Sequence, residues 1–413
     1  MPKLLFTSVG GTAAPVINAL KAVRPERAVF VISEQSRRTC EEEVLPAIEQ
    51  DGLLMPAGAY SFIQVPHHED LREIVHALRP RVLEETSRWR AMGDDYGVVV
   101  DITGGTKQMS AGLALVAQRL DCEFFYTGGR ERGSDGLGTV VDGAEESLRT
   151  VNPWDILGYM HLEDAQVLFN RGHYTAACEV LELGKQRADE SGLKRRFDAF
   201  IALARAFELW ERFVHDKARE KLEKAVSMGD QFRAALDSDR ALVLLGNLKK
   251  NLDFLKGRST PGWLVIDLYA NALRRQREGR YDDAVARIYR AMEALAQDRL
   301  RDVHGIADTS EVPANALPDN LRKRWQGLIR HDSTLMLSLQ QDYLLLEGLG
   351  DDLGLRFREI GLAGEKSPLN KRNHSILAHG FKAVSEKDCR KLVEKLDELS
   401  GIDKGSLPIF PIL

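Results

Sequence analysis

Gly97-Val98-Val99-Val100-Asp101-Ile102-Thr103-Gly104-Gly105-Thr106-Lys107-Gln108-Met109 passes from a β-branched block, through paired glycines, into a helix-forming stretch. Three consecutive valines behind a glycine read as a buried strand, and the hydroxyl-flanked Gly-Gly reads as a tight turn. From Lys107 to Leu120 the apolar residues take helical spacing. A strand that hands over to a helix through such a turn is the repeating unit of a parallel α/β sheet.

The same pattern extends on both sides. Leu4 to Val9, Ala28 to Ser33, Ser61 to Val65, Gly97 to Thr103, Cys122 to Thr127 and Gly138 to Val141 read as strands. Ala14 to Val23, Cys40 to Gln50, Leu71 to Ala91 and Lys107 to Leu120 read as helices between them. The expected fold is a doubly wound, Rossmann-like α/β domain with a mainly parallel sheet. Its first strand runs into Ser8-Val9-Gly10-Gly11-Thr12, a second glycine turn of the same kind.

Ligands of such sheets bind beyond the carboxyl ends of the strands, where glycines admit the backbone and a helix N-terminus favours an anion. Each Gly-Gly alone is explained by turn-making. Two hydroxyl-flanked turns and Lys107 in one domain point to a phosphate-bearing ligand in a shared pocket. The stretch Gly104-Gly105-Thr106-Lys107 lacks the GxxxxGK[ST] spacing that wraps a triphosphate, and the first strand opens no GxGxxG fingerprint. A nucleoside triphosphatase and a dinucleotide oxidoreductase are therefore disfavoured.

The chain has 413 residues, enough for two or three domains, with 29% charged and 44% hydrophobic residues. A net charge of -5 argues against a basic coat for long nucleic acid, so any nucleic-acid site is expected to be small and recessed. Cys40, Cys122, Cys178 and Cys389 form no CxxC pair, so neither a zinc ribbon nor a disulfide framework is expected. Without a signal peptide or an apolar run long enough to span a bilayer, the expectation is a cytoplasmic protein.

From about Trp154 onward the strand signal disappears and helices take over. Asn170-Arg171-Gly172-His173-Tyr174 and Arg277-Glu278-Gly279-Arg280-Tyr281 share a pattern in which a helix ends at glycine and an aromatic residue starts the next. Trp210-Glu211-Arg212-Phe213 is a looser version without glycine. The spacing is irregular, so stacked hairpins are expected rather than a solenoid. Lys256 to Gly262 divides the helical part, and His304 to Asn320 is a loop-rich interruption. Ala284, Val285, Ile288, Met292 and Leu295 form an apolar stripe that reads as core.

Near the end stands Arg372-Asn373-His374-Ser375-Ile376-Leu377-Ala378-His379. Ile376, Leu377, Phe381 and Val384 recur at helical spacing, and a helix brings Arg372 and His379 to one face. A guanidinium holds a phosphate at two points, and an imidazole transfers protons near neutral pH. That pairing suits RNA cleavage without a metal.

The DITGGTKQM and SVGGT turns resemble those of the CARF domain, the CRISPR-associated Rossmann-like fold. Arg372 to His379 resembles the R-x(4–6)-H motif of HEPN ribonucleases. The whole chain is similar to the CARF–HEPN ancillary ribonucleases of type III CRISPR systems, in the group with a six-helix connector. The resemblance implies a CARF ligand-sensing domain over residues 1–150, a helical connector over 151–258 and a HEPN domain over 259–413. It also implies a homodimer activated by a cyclic oligoadenylate, with single-stranded RNA as substrate. No metal cofactor, membrane or DNA partner is expected.

In the sensor, Ser8, Gly10, Gly11, Thr12, Thr103, Gly104, Gly105, Thr106 and Lys107 are the expected ligand residues. Glu34 and the Thr127-Gly128-Gly129-Arg130 loop are weaker candidates for the rim. In the effector, the substrate's own 2′-hydroxyl attacks to leave a 2′,3′-cyclic phosphate. There His379 serves as general acid or base, Arg372 as phosphorane stabiliser and Asn373 as orienting group, with His374 in support. Alternatives from other classes are a CARF ring nuclease that degrades its own activator through Thr106 and Lys107, a non-catalytic nucleotide-sensing dimer, and a transcriptional regulator. The last lacks any basic recognition helix.

Overall fold

The computed structural model describes residues 1–50, 59–93, 95–129, 145–153, 158–364, 367–370 and 380–413. They form two compact units, Met1–Val167 with Ala176–Asp198, and Leu168–Thr175 with Ala199–Leu413.

The first unit is built on β1 (Lys3–Ser8), α1 (Ala14–Val23), β2 (Arg27–Ile32), α2 (Glu34–Thr39), α3 (Leu45–Gln50), β3 (Tyr60–Gln64), α4 (Leu71–Arg90), β4 (Gly97–Asp101), α5 (Lys107–Ala117), β5 (Glu123–Gly129) and β6 (Glu145–Val151). The sheet order is β3-β2-β1-β4-β5-β6. The first five strands run parallel and β6 pairs antiparallel with β5.

Alternation along the strands feeds two cores. Leu4, Phe6, Val98 and Val100 pack with Ile74, Leu78 and Leu113 on one face, while Leu5, Val99 and Phe125 pack with Val16 and Leu20 on the other. Helices on both faces are what the doubly wound reading requires.

The structure corrects the sequence reading in two places here. Helical structure starts at Glu34, ahead of the expected Cys40, because Ser33 and Ser36 cap each other reciprocally. A π turn over Cys40–Val44 carries it into α3. Strand β6 was not anticipated: its Leu148 and Val151 are 53% and 50% exposed, so it shows no core-facing alternation. The strand expected at Gly138 to Val141 lies outside the described residues.

Helices follow: α6 (Tyr159–Asn170), α7 (Tyr174–Arg187), α8 (Ser191–Glu211), α9 (His215–Ser227), α10 (Gly229–Ala235), α11 (Ser238–Lys256), α12 (Trp263–Arg277) and α13 (Tyr281–His304). The glycine hairpins occur as expected, with φ of 77° at Gly172 and 73° at Gly279. At the glycine-free version, Phe213 itself adopts φ 58°. The Lys256–Gly262 break separates α11 from α12.

A second helical core forms where α13 meets α15 (Leu339–Gly348), α16 (Asp352–Glu359) and α17 (Glu386–Ser400), after α14 (Asp319–Arg324). Ala284, Val285, Ile288 and Met292 are fully buried in it, so the apolar stripe is core. Tyr343 stacks on Phe357 at 3.8 Å between ring centres and donates to the Met292 carbonyl at 2.7 Å.

Two expectations fail in this part. A two-strand ladder, β7 (Val312–Pro313) with β8 (Thr334–Leu335), interrupts the helices. The helical spacing read through Phe381 and Val384 also breaks, because residues 380–385 are not helical and Ser385 instead caps α17 through the Asp388 N–H. Phe381 is 94% exposed and Val384 is buried.

The tail after α17 is pinned by two asparagines. Asn251 exchanges two hydrogen bonds with the Ile409 backbone at 2.5 and 2.9 Å, and Asn170 does the same with Leu413 at 3.1 and 2.7 Å. Between them Phe410 packs against Phe207 and Trp210 at 4.7 and 5.2 Å. No described helix is long and apolar enough to cross a membrane.

Candidate functional site

The carboxyl ends of β1, β4 and β5 are tied together by one buried carboxylate. Asp101 is fully buried and accepts from the Thr7 hydroxyl at 2.7 Å, the Thr103 N–H at 2.9 Å and the Thr103 hydroxyl at 2.5 Å. The Thr103 hydroxyl in turn accepts from the Thr127 N–H of β5 at 2.8 Å. Burial pushes the Asp101 carboxyl above its ordinary pKa, and the bonds from Thr103 and Thr7 offset part of that.

On this base the two glycine loops touch. A side chain on Gly10 would come within 3.0 Å of the Gly105 nitrogen, and one on Gly104 within 2.2 Å of the Ser8 carbonyl oxygen. Gly105 has φ 82°, which an L side chain resists. The Gly104 carbonyl accepts from the Ser8 and Ser110 hydroxyls at 2.5 and 2.7 Å. In a planar trans peptide the Gly105 N–H is antiparallel to that carbonyl, so it is turned away from both serines.

Hydrogen bonding divides the nine expected ligand residues into two sets. Ser8, Thr103 and Thr106 spend their hydroxyl protons inside the fold: Thr106 donates to the His68 carbonyl at 2.6 Å and caps α5 by accepting from the Met109 N–H at 3.2 Å. Gly104 is buried as a packing surface. The open set comprises Gly10, Gly11, Thr12 and Lys107, with the Gly105 N–H. Gly11, Thr12 and Lys107 are exposed, and Lys107 sits at the first position of α5, where the helix dipole adds to its charge.

Of the weaker candidates, Glu34 is exposed at the start of α2. Thr127 is a buried strand residue, and Arg130 lies outside the described residues. Asp101, Thr7, Ser110 and the His68 carbonyl were missed as parts of the site. Their roles depend on which strands become neighbours, and no local spacing carries that.

Arg372, Asn373, His374 and His379 lie outside the described residues. Of the two other histidines nearby, His304 is paired with Asp351 at 2.8 Å beside Arg299, a bond within the fold. His331 is exposed.

Comparison with known proteins follows this layout. Residues 157–254 match the model of the Csm6 6H domain, and residues 251–403 match that of the Csm6 HEPN domain. No curated protein sequence matches the chain. Among solved structures, Csm6 from Enterococcus italicus bound to cyclic hexa-2′-fluoro-hexa-dAMP superposes with a TM-score of 0.52 at 11% identity, covering 97% of this chain and 94% of that one. The two matched segments adjoin and run from residue 157 to 403 behind the doubly wound sheet. The chain therefore belongs to the Csm6-type CARF–HEPN ancillary ribonucleases of type III CRISPR systems.

Proposed function

We propose that this protein is a single-strand endoribonuclease of type III CRISPR antiviral defence, switched on by a cyclic oligoadenylate and independent of metal. The observation that carries the reading is the match of residues 251–403 to the Csm6 HEPN domain, a span that includes Arg372 and His379. In this reading residues 1–150 sense the activator, 151–258 connect, and 259–413 cleave.

The activator binds where two copies present the same loops across a two-fold axis, matching a ring of even symmetry. Ring phosphates meet the N–H groups of the glycine loops, Thr12 and the Lys107 ammonium. At the other end His379 takes the proton of the substrate 2′-hydroxyl or gives one to the leaving 5′-oxygen, a role worth about 10²–10⁴-fold. Arg372 stabilises the phosphorane charge through a two-point contact, and Asn373 holds the reacting groups in line. Each partner contributes one Arg–His pair to a composite site.

The test is cleavage of a labelled RNA with cyclic tetra- and hexa-adenylate side by side, in the presence of a chelator. Activation by one ring, unaffected by the chelator and shifted to higher activator concentration by Lys107→Ala, supports the reading. An unchanged dose response in Lys107→Ala removes the pocket assignment, and loss of cleavage in chelator removes the metal-free chemistry.

A further inference from the structure

A cavity of about 630 Å³ opens in the second unit, between the turn at 170–174, the turn at 277–280 and the tail at Phe410 to Ile412. Arg171, Arg274, Arg275, Arg277 and Arg280 all line it. In a chain of net charge -5 this is a concentration of positive charge that the average surface does not have.

The counter-charge is smaller than the cluster. Glu211 takes Arg274 at 2.6 Å and Arg275 at 2.7 Å, and Glu278 on the cavity wall takes Arg275 at 2.8 Å. Arg280 pairs with Asp283 at 2.5 Å. Arg171 and Arg277 are exposed and make no ion pair among the described residues.

A second observation marks the interior. Arg275 is 8% exposed, yet its Nε has no acceptor among the described residues; nor has the buried Nη2 of Arg274. An unsatisfied buried guanidinium N–H is costly, so positive charge behind the cavity wall is incompletely compensated within the fold. The nearest aromatic face is already occupied, since the Arg274 guanidinium lies 3.5 Å from the Phe410 ring centre. The cavity therefore offers donors for phosphate oxygens, and among its lining rings only that of His173 is exposed.

We propose that this cavity is a phosphate-binding subsite for the backbone of single-stranded RNA, formed by Arg171, Arg274, Arg275 and Arg277. It rests on the reading of RNA as substrate, but it uses none of the catalytic residues. Recognition is carried by phosphate, the group that the arginines can hold, and phosphate contacts carry no base identity. The volume lies within the range of small-ligand sites.

The experiment uses the full-length protein and a 2′-O-methyl RNA oligonucleotide, which lacks the attacking hydroxyl, with binding followed by fluorescence anisotropy over a salt series. Arg171→Glu combined with Arg277→Glu, both exposed positions, is expected to weaken binding at least tenfold. The double variant should also flatten the slope of log Kd against log salt by about 1.4, two single-strand phosphate contacts. The Lys double variant should keep most of the affinity. Unchanged affinity and slope in the Glu variant overturn the proposal, as does a preference for one base that disappears with the arginines. AMP and inorganic phosphate serve as competitors. If AMP alone binds as tightly as the oligonucleotide and is lost in the same variant, the ligand is a free nucleotide and the RNA assignment is overturned. Failure of the wild type to cleave ordinary RNA with activator would sink the ribonuclease reading while leaving this binding result intact.

Discussion

Gly104 and Gly11 look alike in the sequence and are separated by their surroundings. A methyl group on Gly104 meets the Ser8 carbonyl at 2.2 Å, whereas one on Gly11 meets nothing within 4 Å. Gly104→Ala is therefore expected to disrupt the loop pair and lower thermal stability. Gly11→Ala should leave the melting temperature unchanged while weakening activator binding roughly tenfold or more, because the side chain enters only the space where a ligand approaches. Equal activator affinity in Gly11→Ala by calorimetry would remove Gly11 from the site. A different residue sets a pH dependence. Asp342 is fully buried, neither carboxylate oxygen has a partner among the described residues, and burial, then Glu293, push its pKa to about 8 against the opposing pull of Arg290. The folded value lies above the unfolded one, so its stabilising protonation is complete below about pH 4 and is lost as the pH rises through about 8. Asp342→Asn should raise the melting temperature at pH 8 and leave it nearly unchanged at pH 4; an equal shift at both would contradict this account.

At the scale of elements, three helix hairpins turn through the same left-handed position, filled by Gly172, Gly279 and Phe213. A bulky residue there costs about 1–2 kcal/mol of backbone strain, which the packing of the Phe213 ring against the helical core offsets. Phe213→Ala loses the packing and keeps the strain; Phe213→Gly loses only the packing. The Gly variant should therefore be the more stable by about 1 kcal/mol in denaturant titrations, and the reverse order would show that the position is not strained. The tail gives a second test. Asn251→Ala removes both bonds to Ile409 and should cost about 1–3 kcal/mol, with the Phe410 contacts loosened as well. The helices with periodic apolar faces and the strands behind glycine turns were legible from sequence. Strand β6 was not, because its residues 147–151 are exposed, and the helical period through Phe381 misled, because the described helix begins only at the Ser385 cap.

For the whole molecule, a doubly wound sheet followed by helical segments that match the Csm6 6H and HEPN models was anticipated from two glycine turns and one Arg–His spacing. The division of labour between the two glycine loops was not: Ser8, Thr103 and Thr106 looked like ligand donors, and only the assembled strands reveal that their hydroxyls bind Gly104, Asp101 and His68. Activator binding at the glycine loops that governs cleavage through His379 is the central proposal, and it concerns a pair of chains. The most direct measurement is the rate of single-stranded RNA cleavage with and without cyclic hexa-adenylate, for the wild type and for His379→Ala at equal activator occupancy. The account predicts activator-dependent cleavage by the wild type to a 2′,3′-cyclic phosphate end, and a loss of at least ~10²-fold in the variant with its activator affinity retained. Cleavage by His379→Ala at the wild-type rate would contradict it.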